Sequence, residues 1–536
     1  MHHAADLEAP HRKSSVIPAV RASIPTLAEV SLVTASALLL ILSFPDYELW
    51  PLAWVGLVPF LIVAGQPLHP GRAFLLGWLW GLIFFYGSCW WLTYPMIHYA
   101  HISAWLAYPL LLVPIAVVAV FPALFSLMLS RLVARFGLRA AFAAPLCWVA
   151  FEWVRYAVTG QLWNALGYSQ AFHPLLIQSA RWGSVYAVSF LIVSANAALA
   201  YALLRPKAKG LALSLSILLL TLLVIAAAGL EGTRARETSP GDSAPIVVAV
   251  QPNVPMESAD DSRAMEQLLA RHLELTAQGL RDMPRGVAST SLVIWPESPM
   301  NFSYSRDPHL RDVIANFARS NHTFVLLNSL EPAADGGEFN SAVMVNEEGR
   351  IVAQYDKIRL MPFGEYVPLP HWLPGASSVR GIVGDFTPGS SYTLMPLGAF
   401  RAGVFICIEA AHPSIARSFA NESADVLINI SNDGYLGPTP VMRQHLSNAI
   451  LRAVENARPL IRVTNNGITA YIESDGRVSG ATGGFVPAVR TWQVATRKDS
   501  TFYTRHGDLF AYACALISLG LVSVGFRTRR MSEARP

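Results

Sequence analysis

The sequence predicts a multi-pass α-helical membrane domain of about eight helices joined to an α/β layered domain. Three observations carry this. Hydrophobic residues make up 53% of the 536 and charged residues 14%, against roughly 45–50% and about 25% in soluble domains. The excess is uneven: between Leu27 and Leu230 the acidic side chains are Glu29, Asp46, Glu48 and Glu152, whereas polarity is ordinary after Pro245. Beyond that point the long apolar runs also give way to short ones of strand length. An ordinary soluble enzyme is excluded.

A bilayer core needs about 20 apolar residues per helix, which puts spans at about 26–44, 49–66, 72–93, 104–131, 140–158, 184–204, 211–229 and 508–526. Tyr94, Pro95, His98 and His101 mark a loop or re-entrant turn near 93–104. Glu152 and Arg155 lie one helical turn apart and read as an intramembrane ion pair. Trp163, Asn164, Tyr168 and Gln170 read as interfacial anchors in the loop that follows.

Charge supplies orientation, because short loops rich in Lys and Arg stay in the cytoplasm. Arg12, Lys13 and Arg21, then Arg72, then Arg131, Arg135 and Arg139, then Arg205, Lys207 and Lys209, and finally Arg527, Arg529 and Arg530 all fall on one side. The alternate loops carry Asp46 and Glu48 or few charges. The α/β region then lies outside the cytoplasm. The net charge of +4 is a topology signal and points to no nucleic-acid partner. The expected organisation is a cytoplasmic tail at 1–25, seven membrane helices over 26–230 and a polar linker at 231–244. An α/β domain over 245–503, a last span at 508–526 and a cytoplasmic tail at 527–536 complete it.

Within the α/β region IVVAVQ (246–251) reads as a buried strand, and Met265, Leu268, Leu269 and Leu273 recur at helical spacing within 260–280. Strands follow at SLVIW (291–295), TFVLLN (323–328), a hairpin around Glu347–Arg350, GVFIC (403–407) and VLINIS (426–431), with helices at 308–319 and 441–456. Apolar strands separated by amphipathic helices bury a core of their own.

Three motifs stand at ends of these strands, where open α/β sheets present reactive side chains. They are WPES with Glu297, YDKIRLMPFGEYVP with Lys357 and Glu365, and VFICIEA with Cys407 and Glu409. Of the four cysteines, Cys89, Cys147 and Cys514 fall in apolar segments, so no disulfide framework or cysteine zinc site forms around Cys407. A cysteine on a sharp strand-to-helix turn, a carboxylate to take its proton and a lysine to stabilise the tetrahedral intermediate make an acyl-transfer site. Taken singly, each residue has a plainer reading as a buried small hydrophobe, a loop residue or a solvated charge. A Cys–His pair using His412 or His445 is the rival arrangement.

In this order, the three motifs resemble the Glu–Lys–Cys signature of the nitrilase (carbon–nitrogen hydrolase) superfamily. With the flanking spans, the chain resembles the apolipoprotein N-acyltransferase family. The likeness extends to EWVR (152–155), QLWNALGYSQ (161–170), VQPN (250–253), SNDGYLG (431–437), RQHLSNAILRAVENARPLIRVTNNGI (443–468) and TFYTRHGD (501–508).

The resemblance implies an α-β-β-α sandwich on the outer face of the bacterial inner membrane. It also implies transfer of a fatty acyl chain from a phospholipid donor, usually phosphatidylethanolamine, to the α-amine of a diacylglyceryl apolipoprotein acceptor. Cys407 would be the nucleophile, Glu297 the general base and Lys357 the oxyanion stabiliser, with Glu365 and Glu409 in support. No metal and no dissociable cofactor are implied. The chain departs from the family in carrying Ile408 where Tyr is usual, and Met256 and Asp260 near a usual Lys-Trp pair. The long stretch 363–384, with Tyr366, Leu369, Trp372 and Leu373, reads either as a loop that dips toward lipid and covers the thiol or as a structural loop with a buried Trp, and YLGPTPVM (435–442) is a second candidate of the same kind. A membrane-anchored amidase would use the same trio and release its acyl group to water; a non-catalytic binding protein would retain the trio without turnover.

Overall fold

The computed structural model describes residues 24–45, 47–234, 244–256, 262–283, 290–297, 299–367 and 385–533, with side chains at 234, 262–265 and 525–533 left out. Arg12, Lys13, Arg21, Asp46, Asp260, Leu369, Trp372 and Leu373, most of the expected linker and the side chains of Arg527, Arg529 and Arg530 lie outside the described residues.

Every expected span coincides with helical structure. Pro70–His98, Ala104–Phe136, Ala180–Leu204 and Ala208–Thr233 are long and apolar enough to cross a membrane, and Leu27–Ser43, Trp50–Ala64 and Leu509–Val524 are shorter apolar helices. Ala144–Thr159 is the remaining one. Positions 93–104 contain a short helix, Thr93–His98, and a turn with His101 at φ +51°. Two helices outrun the expected boundaries: Ala208–Arg234 enters the linker region, and Leu509–Glu533 continues past 526. Gly77 and Gly81, one turn apart, face Pro122, Ala123 and Ala119 so closely that an added β-carbon would meet them at 2.4–2.9 Å. Small residues at this spacing let two apolar helices pack backbone to backbone.

Two sequence expectations are corrected here. Glu152 and Arg155 are both buried, yet they form no ion pair among the described residues. Glu152 instead accepts hydrogen bonds from Trp148 Nε1 (2.9 Å) and the Leu166 amide (2.8 Å), and Arg155 donates to the Trp163 carbonyl (2.8 Å). Both therefore satisfy the backbone of the 161–170 segment, whose polar groups would otherwise be stranded among apolar helices. Accordingly Trp163, Asn164, Tyr168 and Gln170 are buried and are not interfacial anchors.

The α/β region contains two six-stranded sheets. The first has the order β12-β1-β2-β3-β4-β5, with β1 (Ile246–Gln251), β2 (Ser291–Ile294), β3 (Phe324–Pro332), β4 (Glu338–Val345), β5 (Ile351–Asp356) and β12 (Ala488–Gln493). The second has the order β11-β10-β9-β8-β7-β6, with β6 (Leu394–Leu397), β7 (Phe400–Ile406), β8 (Val426–Ser431), β9 (Leu460–Thr464), β10 (Ala470–Ile472) and β11 (Val478–Ser479). The central trios β1-β2-β3 and β7-β8-β9 are parallel and the outer strands antiparallel.

Strand alternation builds the layers. Val247, Ala249, Leu292 and Ile294 pack between the sheets with Val404, Ile406, Ile428 and Ile430, whereas Val248, Val250, Val293 and Val325 face outward. There Leu310 and Ile314 of Pro308–Asn321, and Leu269 and Leu273 of Ser262–Arg281, cover them. Pro413–Asn421 and Val441–Asn456 cover the second sheet, which completes an α-β-β-α sandwich.

Candidate active site

Parallel strands bring their carboxyl ends to one edge, and the three motif residues lie there. Glu297 follows β2, Lys357 follows β5 and Cys407 follows β7. Lys357 is 1% exposed; its Nζ donates to Glu365 Oε1 at 2.7 Å and to Glu297 Oε1 at 3.4 Å. Burial opposes the ammonium, but the Glu297 and Glu365 carboxylates outweigh it and hold its pKa above the usual lysine range. Glu365 Oε2 is fixed by the Met361 amide at 2.7 Å.

Cys407 begins a 3₁₀ turn, Cys407–Ala411, and takes a left-handed backbone, φ +52°. Such a turn lifts the side chain out of the strand line at a cost of about 1–3 kcal/mol, so neighbours must hold it. Glu409 does so from behind. Fully buried, it accepts from the Ile406 amide (2.8 Å), the Ile358 amide (2.8 Å), the Arg359 amide (3.0 Å) and Tyr355 Oη (2.8 Å). One carboxylate thus ties the cysteine turn to the segment that carries Lys357. Burial, and next the Glu297 carboxylate, push the Cys407 thiol up, against the opposing pull of Lys357. The resting group is therefore a thiol in need of a base.

The rival bases are engaged elsewhere. His445 directs Nε2 at the Cys407 carbonyl oxygen (2.9 Å) and Nδ1 at Asp433 Oδ1 (2.9 Å), and Arg462 also donates to Asp433 Oδ2 (2.8 Å). His445 therefore holds the backbone of the cysteine turn. His412 is paired through Nδ1 with Tyr156 Oη at 3.3 Å.

Four residues of this site have no place in the sequence reading of the chemistry. Asn340 on β4 donates from one amide nitrogen to both Glu297 Oε1 (2.8 Å) and Glu365 Oε1 (2.7 Å), and its own oxygen is held by Asn328 (2.7 Å). The Asn432 amide, just beyond β8, donates to Glu297 Oε2 at 3.0 Å. Asp433 and Arg462 complete the set. Asn432 and Asp433 fall in SNDGYLG, and His445 and Arg462 in the long 443–468 motif, so the signal was present; Asn340 sits in no motif.

The membrane part reaches this edge directly. Tyr435 stacks on Tyr99, with ring centroids 5.2 Å apart, and donates to the Phe363 carbonyl; Tyr99 donates to the Gly434 carbonyl. Gly437, at φ +70°, leaves room for Tyr94, whose ring would lie 2.3 Å from a β-carbon. The 435–442 loop thus packs on membrane-domain residues, next to the asparagine that orients Glu297.

A Glu–Lys–Cys edge in a double-sheet sandwich, carried on apolar helices, defines a membrane-attached protein with a carbon–nitrogen hydrolase domain. Residues 247–495 match the carbon-nitrogen hydrolase family model, and residues 36–198 match that of the apolipoprotein N-acyltransferase N-terminal domain. An apolipoprotein N-acyltransferase of Geobacter metallireducens is 33% identical over 499 residues, covering 92% of this chain and 94% of the relative. One from Allorhizobium ampelinum is 34% identical over 76% of each chain. An amidase of the nitrilase superfamily from Nesterenkonia AN1, in a solved mutant form, is 16% identical with a TM-score of 0.38, covering 51% of this chain and 98% of its own. The chain belongs to the apolipoprotein N-acyltransferase family.

Proposed function

We propose that this chain moves a fatty acyl group from a phospholipid, of the phosphatidylethanolamine class, to the α-amine of an S-diacylglyceryl-cysteine apolipoprotein. The juxtaposition of Glu297, Lys357 and Cys407 at a sandwich edge packed on membrane helices carries this reading. Glu297 takes the thiol proton as sulfur attacks the ester carbonyl, and the Lys357 ammonium stabilises the oxyanion. The ester C–O bond breaks, the lysophospholipid oxygen takes the proton from Glu297, and a Cys407 thioester remains. The acceptor amine then attacks the thioester, Glu297 accepts its proton and passes it to the sulfur as the C–S bond breaks, which returns the thiol and the carboxylate. Amide formation makes the second step the sink. Glu365, Asn340 and Asn432 orient Lys357 and Glu297, and Glu409 and His445 orient the cysteine turn.

A site at the bilayer surface follows from magnitude: exposing a sixteen-carbon chain to water costs roughly 12 kcal/mol at about 0.8 kcal/mol per CH₂, most of an ordinary catalytic enhancement. The distribution of Arg and Lys supports placement in the inner membrane with the sandwich on the periplasmic side.

The test is incubation with labelled phospholipid and a diacylglyceryl peptide, with the acyl group located by mass spectrometry. Acylated peptide is expected, through a thioester on Cys407 that Cys407→Ala abolishes and that Glu297→Gln and Lys357→Ala form at least a hundredfold more slowly. Free fatty acid as the main product, or an acyl group on another side chain, would overturn the reading.

A further inference from the structure

The 501–508 motif takes no part in this chemistry, and it borders an open groove between helices. Helices Ala208–Arg234 and Leu509–Glu533 both pack on Ala180–Leu204. Where they leave the sandwich, an open-sided groove of about 610 Å³ is lined by residues of all three helices and of 500–505. Its size falls within the roughly 300–1,000 Å³ of small-molecule sites.

The lining is divided. Phe502, Leu509 and Phe510 supply apolar wall, while Glu231 and Arg505 stand at the rim. Glu231 Oε2 accepts from Trp182 Nε1 at 2.9 Å, and Arg505 donates one N–H to the Ser500 carbonyl at 2.8 Å. Among the described residues neither charge enters an ion pair, with each other or with any third group. Two opposite charges on one groove, neither in an ion pair with a described residue, match a ligand that carries both signs. Glu231 lies in the last turn of Ala208–Arg234, and Arg505 lies in the short helix Phe502–His506 just before the last helix. The helices Ala208–Arg234 and Leu509–Glu533 also carry exposed leucines, Leu223 and Leu230 on the first and Leu516 on the second, 60–69% exposed, the kind of surface that acyl chains cover.

We propose that this groove holds a resident phospholipid whose headgroup bears a phosphate and a primary ammonium. The phosphate pairs with Arg505 through charge-assisted hydrogen bonds, the ammonium pairs with Glu231, and the acyl chains lie between the two helices. This lipid is not the acyl donor, since the groove contains none of the residues around Cys407. It acts as a clamp. Thr501 of the groove donates to the Glu455 carbonyl at 2.6 Å, and Arg417, from the helix after the cysteine turn, donates to the Tyr503 and Thr504 carbonyls at 3.2 and 3.0 Å. Filling the groove therefore braces the last helix against the sandwich. A choline headgroup offers Glu231 no N–H donor and a glycerol headgroup offers it no cation, so both bind more weakly.

The test uses the full chain with Cys407→Ala, so that no lipid is consumed, and counts bound lipids by native mass spectrometry and melting temperature. Lipids with ethanolamine, choline and glycerol headgroups and identical acyl chains are compared. The ethanolamine lipid is expected to occupy one site at least tenfold more tightly than the others and to raise the melting temperature by several degrees. Glu231→Gln removes the headgroup preference, and Arg505→Ala weakens all three lipids at least tenfold. Ala513→Phe, on an exposed wall position, displaces the lipid with both charges intact. Equal retention of the three lipids, or unchanged stoichiometry and preference in all three variants, overturns the proposal. Since these readouts require no turnover, they are independent of whether Cys407 carries an acyl group.

Discussion

The Cys407 thiol is pushed up by burial and, next, by the Glu297 carboxylate, with Lys357 pulling the other way. This gives Glu297→Gln two effects of opposite sign. Removing the negative charge lets Lys357 dominate, so the thiol ionises at lower pH; removing the base slows attack on an ester. Iodoacetamide labelling of the Cys407 peptide, followed by mass spectrometry across pH 7 to 10, is expected to show slow labelling near neutrality that still climbs at pH 9. The curve should move to lower pH in Glu297→Gln and to higher pH in Lys357→Ala. A curve that stays put in both would mean the three side chains do not share a field. Glu409 supplies a second test. Its carboxylate receives four donors, so Glu409→Gln turns an NH₂ group toward them, at about 1–3 kcal/mol for each donor left unmatched. The Cys407 turn loses its brace, and thioester formation is expected to fall about a hundredfold or more while the protein still melts cooperatively; an unchanged rate would contradict the brace. The proposed trio was legible in sequence because a cysteine, a carboxylate and a lysine stood at strand ends in ordered motifs, and the fold brings them to one edge. Asn340 was not, because an asparagine within an ordinary strand looks like any other until the fold turns its amide toward two carboxylates.

Elements were legible where periodicity was strong. β1, β8 and the helix Val441–Asn456 fall at the bounds the pattern predicts, and β2 differs by one residue. The antiparallel strands β6, β10, β11 and β12 carry little alternation to read, because they run to only two to six residues. β9 (LIRVT) lies inside the long 443–468 motif. The break in Ala180–Leu204 was invisible for another reason. Gly183 and Ser184 leave the helical region, Ser184 at φ +59°, inside a run whose composition is helical throughout. The structure shows what fills the break: Glu455 Oε1 accepts from Ser184 Oγ (2.6 Å), the Val185 amide (3.1 Å) and Arg452 (2.7 Å). A sandwich residue thus caps a membrane helix from outside it, as a side chain of its own would. Burial pushes the Glu455 carboxyl up to about 7. Glu455→Ala leaves two donors open and Arg452 buried without a counter-charge, a loss of about 3–5 kcal/mol by analogy with broken buried pairs. Glu455→Gln keeps an acceptor at the same place. Melting in detergent micelles is expected to fall by several degrees for the alanine variant and much less for the glutamine one. Equal losses would show that charge, and not the capping oxygen, joins the two parts.

At the scale of the molecule, two phases were legible from composition, but the seam between them was not. The 161–170 segment has the aromatics of an interfacial loop, and only the fold shows Trp163 donating to Gln444 (2.8 Å) and the Arg452 guanidinium lying 6.0 Å from the centre of the Tyr168 ring. Gln444 also takes a hydrogen bond from Trp91 and donates to the Pro45 and Ser88 carbonyls. Residues 444–456 are buried without interruption. A helix buried all round lies in the middle of a core, and here one side of that core is β9 and the other is membrane helix. The apolar cluster containing Val404 and Ile428 accordingly runs on into Tyr186 and Val188. The region 245–503 is therefore not a detachable unit, although its two sheets would suffice for one. Expressed alone, it exposes the outer side of Val441–Asn456 and strands Gln444 and Arg452 without partners. It is expected to aggregate, or to bind a hydrophobic dye without a cooperative melt. A monomeric, cooperatively melting 245–503 fragment would refute this. The same continuity bears on the chemistry, because the helix that meets Trp91, Trp163 and Ser184 also carries His445, which holds the carbonyl of Cys407. On the proposed mechanism, loosening the seam is expected to slow thioester formation on Cys407 before it unfolds the sandwich, because this helix touches both.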